Sequence, residues 1–204
     1  MMKTQNTQSR KAMVLPLAII VALVAMFTIA ACTSKDGSTQ KGDTTQVSQS
    51  NVKPPQMDIH TAVLTENLEA LQQHIAAGSN LNEKDPFGGS SPLITAAVFG
   101  KTAMAKILID AGADLNFQNK DGSTALHTAA FFCRPEIVQM LLDKGADKTI
   151  KNTFNATAYE SVAAPFSETK PAYDMMGTVL APMGLKLDYA YLEKTRPEIA
   201  ALLK

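Results

Sequence analysis

Two stretches of this chain recur at a fixed distance, and that distance restricts the fold more than any other property of the sequence. Ser91-Pro92-Leu93-Ile94-Thr95-Ala96-Ala97 returns 33 positions later as Thr124-Ala125-Leu126-His127-Thr128-Ala129-Ala130. Further along, Ile109-Asp110-Ala111-Gly112-Ala113-Asp114 returns as Leu142-Asp143-Lys144-Gly145-Ala146-Asp147, again 33 positions on. A unit this short cannot enclose a core of its own and becomes stable only by stacking on neighbours of the same kind. The expected product is an elongated stack that presents a surface, which suits binding better than catalysis.

Each unit reads as a turn, a helix, a second helix and a return loop. In 120–152, Gly122 supplies the positive φ of a turn tip and Thr124 is placed to cap the first helix. Ala129 and Ala130 are small where helices must approach closely. Pro135 opens the second helix, where its missing N–H costs nothing. Ile137, Val138, Leu141 and Leu142 then recur on one face, and Gly145 stops the helix. Unit 86–119 matches part by part, with Gly89, Ala96, Ala97, Met104, Ile107, Leu108 and Gly112. Unit 58–85 is weaker and has the polar outer face of a terminal cap.

A fourth unit reads as split. Thr157-Ala158 lies 33 after Thr124-Ala125, and Arg196-Pro197-Glu198-Ile199 echoes Arg134-Pro135-Glu136-Ile137. The expectation is a repeat made of 153–163 plus 196–204, interrupted by an insertion over 164–195. That insertion carries two short helical patterns, about 173–181 and 187–193. The alternative is a separate C-terminal appendage with a chance match.

The N-terminal part has a different character. Lys3, Arg10 and Lys11 precede an uncharged, almost wholly apolar run from Ala12 to Ala31, which ends at Cys32. A basic head, an apolar run and small residues before a break are the parts of a secretory signal. Residues 32–56 are almost all Ser, Thr, Gln, Lys, Gly and Asp, too polar to offset their ordering entropy, and read as a flexible tether. The chain is thus expected to divide into a leader (1–31), a tether (32–56) and a repeat domain (57–204).

The 33-residue period and its T-P-L-H-like core resemble the ankyrin repeat family, over roughly 58–163 plus the final helix. The resemblance implies an all-α solenoid of about four helix-turn-helix units and a role in protein–protein interaction without enzymatic activity. Ile29-Ala30-Ala31-Cys32 resembles the lipobox of bacterial lipoproteins. That resemblance implies cleavage before Cys32, lipidation of its thiol and acylation (as by palmitate) of the new N-terminus. An uncleaved anchor is the alternative, since about 20 apolar residues can span a bilayer. Both place the rest of the chain outside the cytoplasm. Thr33 after the Cys, where that family's sorting rule commonly uses Asp to retain proteins in the inner membrane, points to the outer membrane, facing the periplasm. Export signal, lipobox-like Cys and short stack together look like bacterial periplasmic ankyrin proteins.

In the ankyrin family, partners are held by the turn tips and the solvent-facing ends of the first helices. Carried over by position, the candidate partner-binding residues are Phe87, Ser90, Val98, Phe99, Gln118, Lys120, Asp121, Ser123, Phe131, Phe132 and Phe154. Five phenylalanines fall on this expected face, and aromatic residues are enriched where interfaces carry their energy. The competing reading is that some turn inward or that the insertion folds over them.

Other chemistry is sparsely represented. His127 holds the T-P-L-H position, where the resemblance implies a structural hydrogen bond between neighbouring turns; His60 holds the corresponding place in the first unit and His74 lies on the core side of a helix. No His pairs with a thiol or carboxylate at ligand spacing, so neither metal nor cofactor is expected. Cys133 is the second of the chain's two cysteines and is either a half-buried inert thiol or a redox or cross-linking site. The insertion has no nucleophile–base set, which leaves an enzymatic or small-ligand site there as a remote alternative, beside an envelope spacer. The 204 residues balance 19 basic against 19 acidic side chains, a neutrality that gives no reason to expect a nucleic-acid partner. A monomer tied to the membrane by its N-terminal lipid is expected, acting as a helper of a periplasmic enzyme or as an inhibitor or immunity factor.

Overall fold

The computed structural model describes residues 52–204. The expected leader, Cys32 and most of the tether lie outside the described residues. Three helix pairs follow one another: α1 (Ile59–Leu64) with α2 (Leu68–Ala76), α3 (Pro92–Phe99) with α4 (Thr102–Asp110), and α5 (Ala125–Phe131) with α6 (Pro135–Asp143). Then come α7 (Ala158–Ala163), α8 (Phe166–Leu180), a 3-10 turn (Ala181–Met183) and α9 (Tyr189–Leu203). Among the described residues there is no β-strand, and the fold is an all-helical repeat solenoid.

The helices begin where local chemistry allows. Asp58, Asn67, Ser91, Thr124, Thr157 and Asp188 each accept a hydrogen bond from the backbone N–H three residues on, satisfying one otherwise orphaned donor. At Thr157 the Glu160 carboxylate also reaches back to the cap's own N–H, 2.7 Å away, which completes a capping box. Between the helices of the first three units one residue adopts a left-handed backbone: Glu66 (φ 55), Gly100 (φ 65) and Cys133 (φ 51). Only Gly does so without steric cost. After α7, Ala164 has φ −66 and ψ 151, the extended form that a following proline, Pro165, imposes. The chain therefore leaves the repeat path and runs into α8.

First helices stack on first helices, α1 on α3, α5 and α7 in turn, and each second helix packs on the first helix of its own unit. Ala62, Ala96, Ala97, Ala129 and Ala130 are fully buried along this seam, where small side chains let backbones close. Return loops are stitched across units: the Asn82 amide oxygen accepts from the Asp114 N–H at 2.9 Å, and that of Asn116 from the Asp147 N–H at 2.9 Å. The Asp114 and Asp147 carboxylates in turn accept from the N–H groups of Asn116 and Thr149, two residues on, and so shape the same loops.

The C-terminal region differs from the expected helix boundaries. A single helix, α9, runs from Tyr189 through Pro197 to Leu203, with no break at Arg196. Proline inside a helix forfeits one hydrogen bond. Burial of Leu192, Thr195 and Arg196 just before it holds the helix together. α8 begins at Phe166, earlier than the expected pattern, and also contains a proline, Pro171. α9 packs on α7 and α6, as α6 packs on α5 and α4.

Candidate functional site: the finger tips

Three turns project from the stack like fingers, and a side chain at the base of each shapes it. Asp85, Asn119 and Asn152 each accept a bond from the N–H two residues on, belonging to Phe87, Asp121 and Phe154. They also hold the N–H of Ser90, Ser123 and Ala156 at the far side of the tip. The positive φ values fall on Gly89, Gly122 and Asn155, the residue types that tolerate them. The first finger has one residue more than the others. Burial works to raise the Asp85 carboxyl, but bonds from the Gly88, Ser90 and Phe87 N–H groups outweigh it and hold the group below its ordinary value. Asp85 is therefore a fixed anion built into its turn.

Backbone bonds join the fingers into a row. The Lys120 N–H donates to the Gly88 carbonyl at 3.0 Å, and the Thr153 N–H to the Asp121 carbonyl at 2.9 Å. The Lys120 ammonium donates to the Phe87 carbonyl at 2.7 Å. Gln118 is spent internally on the Gly122 carbonyl, and the Ser123 hydroxyl accepts from the Asn152 amide. On this rigid row Phe87 is 81% exposed and Phe154 is 75% exposed. Asp121 is exposed between them and Ser90 is half-buried.

The sequence-derived face divides into two parts. Val98 and Phe99 are half-buried. Phe132 is only 5% exposed and belongs to the core, contrary to expectation. Phe131 is half-buried under α8: its ring stacks on Tyr173 at 4.4 Å between centroids. The Tyr173 hydroxyl donates to the Phe131 carbonyl at 2.5 Å and accepts from the Arg196 guanidinium at 2.8 Å. Burial pushes the Tyr173 phenol up to about 12, so it stays a protonated donor. Phe131 is the last residue of α5 and Phe132 its C-cap, and α8, which follows no repeat, covers that end.

Tyr173, fully buried, and Arg196, 2% exposed, form a clasp that sequence reasoning missed. The signal was present in part: Arg196 was visible as an echo of Arg134, but its partners lie outside the repeat frame. The second Arg196 nitrogen donates to the Ala164 carbonyl at 2.9 Å, which pins the point where the chain leaves the stack. Beside it, a groove of about 430 Å³ runs between α7 and α9, lined by Tyr159, Val162, Phe166, Pro197 and Ala200.

The histidines are structural. Nε2 of His127 faces the Ala156 carbonyl at 3.0 Å, and its Nδ1 faces the Thr124 N–H and hydroxyl. A carbonyl only accepts, so the proton sits on Nε2. His60 does not hold the place of His127, as it lies two residues after its cap Asp58 rather than three; it bridges Thr95 of the next unit and the Glu83 carbonyl, and His74 bridges Ser79 and the Met57 carbonyl. Cys133 is fully buried, with its sulfur 3.8 Å from the Leu192 carbonyl. Burial pushes its thiol up to about 11, away from the thiolate that redox chemistry uses.

Residues 59–152 match the family model for ankyrin repeats in 3 copies. This part of the chain is similar to ankyrin repeats. Such repeats are generally non-enzymatic scaffolds for protein–protein interaction. Among solved structures, the ankyrin repeat domain of Bcl-3, described as a unique member of the IkappaB protein family, is similar at 35% identity, with a TM-score of 0.49. The similarity covers 50% of this chain and 45% of that one, so this chain spans less than half of its length. None of the curated proteins matches the chain.

Proposed function

We propose that this chain is an extracytoplasmic protein, anchored through lipid on Cys32, that holds a protein partner at the tips of its ankyrin fingers. The observation that carries the binding surface is the pair of phenyl rings, Phe87 and Phe154, standing in solvent on a hydrogen-bonded row. Two aromatic side chains exposed along one hydrogen-bonded row favour an interaction site, because aromatic residues are enriched where interfaces carry their energy. The basic head, apolar run and Ile29-Ala30-Ala31-Cys32 support export and anchoring, with the outer membrane favoured by Thr33. We further read α7 and α9 as the two helices of one split repeat, because α9 packs where a second helix belongs. The partner is either a periplasmic enzyme that the stack holds or a toxin that it blocks.

Photo-cross-linking residues placed at Phe87 and Phe154, followed by mass spectrometry from intact cells, test the surface. One dominant cross-linked protein is expected from both positions, and its identity separates helper from inhibitor. A diffuse set of adducts, equal to that from a control position on α6, would instead make the stack an envelope spacer.

A further inference from the structure

The three fingers do not present the same chemistry. Phe87 and Phe154 occupy the exposed tips of the first and third fingers, and the middle finger carries Asp121 two residues after its anchoring Asn119. Two neighbouring charges are held in place by the turns, and the exposed Lys84 and Lys151 stand at the finger bases rather than at the tips. The Asp85 carboxylate is held in its own turn; the exposed Lys120 keeps its charge, but its ammonium is drawn to the Phe87 carbonyl at 2.7 Å. Among the described residues, no hydrogen bond or ion pair engages the Asp121 carboxylate. What faces outward is therefore a phenyl ring, a free anion and a second phenyl ring, on a backbone that cross-finger bonds hold in place.

We propose, building on the finger-tip reading above, that this row takes an extended segment of its protein partner in which two apolar side chains flank a lysine or arginine. The dimensions set the spacing. Packed helices of neighbouring units lie about 8–10 Å apart, so the two rings, two units apart, are roughly 16–20 Å from each other. An extended chain advances about 3.3 Å per residue, so that gap corresponds to about five or six residues. A basic residue within that stretch meets Asp121, and its aliphatic stem lies along the phenyl faces. A segment with an acid at the same place brings like charges together and is rejected, which is how a charge sets specificity more than affinity.

Random peptides displayed on phage, selected on the purified full-length chain, read this preference directly. The expected winners carry two large apolar residues about five or six positions apart with Lys or Arg between them. Asp121→Lys is expected to switch the central preference to Asp or Glu and to weaken the original winners about tenfold or more. Phe87→Ala and Phe154→Ala are each expected to weaken them by a similar factor with the melting temperature unchanged, since both rings are exposed. Winners without a central charge preference, or a preference that Asp121→Lys leaves unchanged, would overturn this inference and leave the finger-tip surface standing. Identical winners from wild type and from the double Phe variant would overturn both.

Discussion

His127 shows how a single residue is committed by its surroundings. Its Nε2 must donate to the Ala156 carbonyl and its Nδ1 must accept from Thr124, which leaves no place for a second proton. Burial accordingly holds its pKa below the ordinary 6.5. The unfolded chain takes up a proton as pH falls through about 6.5, whereas the folded chain still resists it. This contribution to stability is thus full above about 6.5 and is lost progressively below it. Thermal unfolding is expected to show a lower melting temperature at pH 5 than at pH 7. His127→Gln should lower the melting temperature at pH 7 and flatten that slope. An unchanged slope in the variant would mean the pH dependence lies elsewhere. This role was expected from the resemblance of Thr124-Ala125-Leu126-His127 to the ankyrin T-P-L-H core, not from the period itself, since the second unit has Ile94 at that place.

Among the elements, α8 depends on very little. Tyr173 is its one buried residue, and the hydroxyl joins Phe131 of α5 to Arg196 of α9. Tyr173→Phe keeps the ring stack but strands a buried carbonyl and a guanidinium N–H, at a cost of about 1–3 kcal/mol. Hydrogen exchange is expected to quicken across Phe166–Leu180 while residues 59–152 keep their protection. Equal exchange in variant and wild type would show that α8 is held by other contacts. Here the sequence was least informative. The turns, caps and alanine seams of the first three units follow the 33-residue period, so one unit interprets the next. Tyr173, Arg196 and Phe131 are far apart in sequence and share no period, so neither the clasp nor the burial of Phe132 could be found by counting. The continuity of α9 through Pro197 was hidden for the opposite reason: its echo of Pro135 suggested a helix start that tertiary packing overrides.

At the scale of the whole molecule, the anchoring proposal turns on one thiol. Cys32→Ser is expected to abolish incorporation of labelled palmitate and to shift the protein's processing. Retention of the label would place the lipid elsewhere, and membrane retention without any label in the wild type would favour the uncleaved anchor. The departure of the chain at Pro165 has a consequence for how the stack comes together. The first three helix pairs meet across turns of a few residues, whereas α7 must wait for α9 across the whole of α8 and the segment after it. Closing a longer loop costs more entropy, though only about 0.6 kcal/mol per doubling of length, and distant contacts form late. Closing the joint between α7 and α9 therefore carries a larger entropy cost than closing any of the first three pairs. Phe154 sits on the finger that leads directly into α7. A partner that grips Phe154 is expected to raise the stability of that end by mass action.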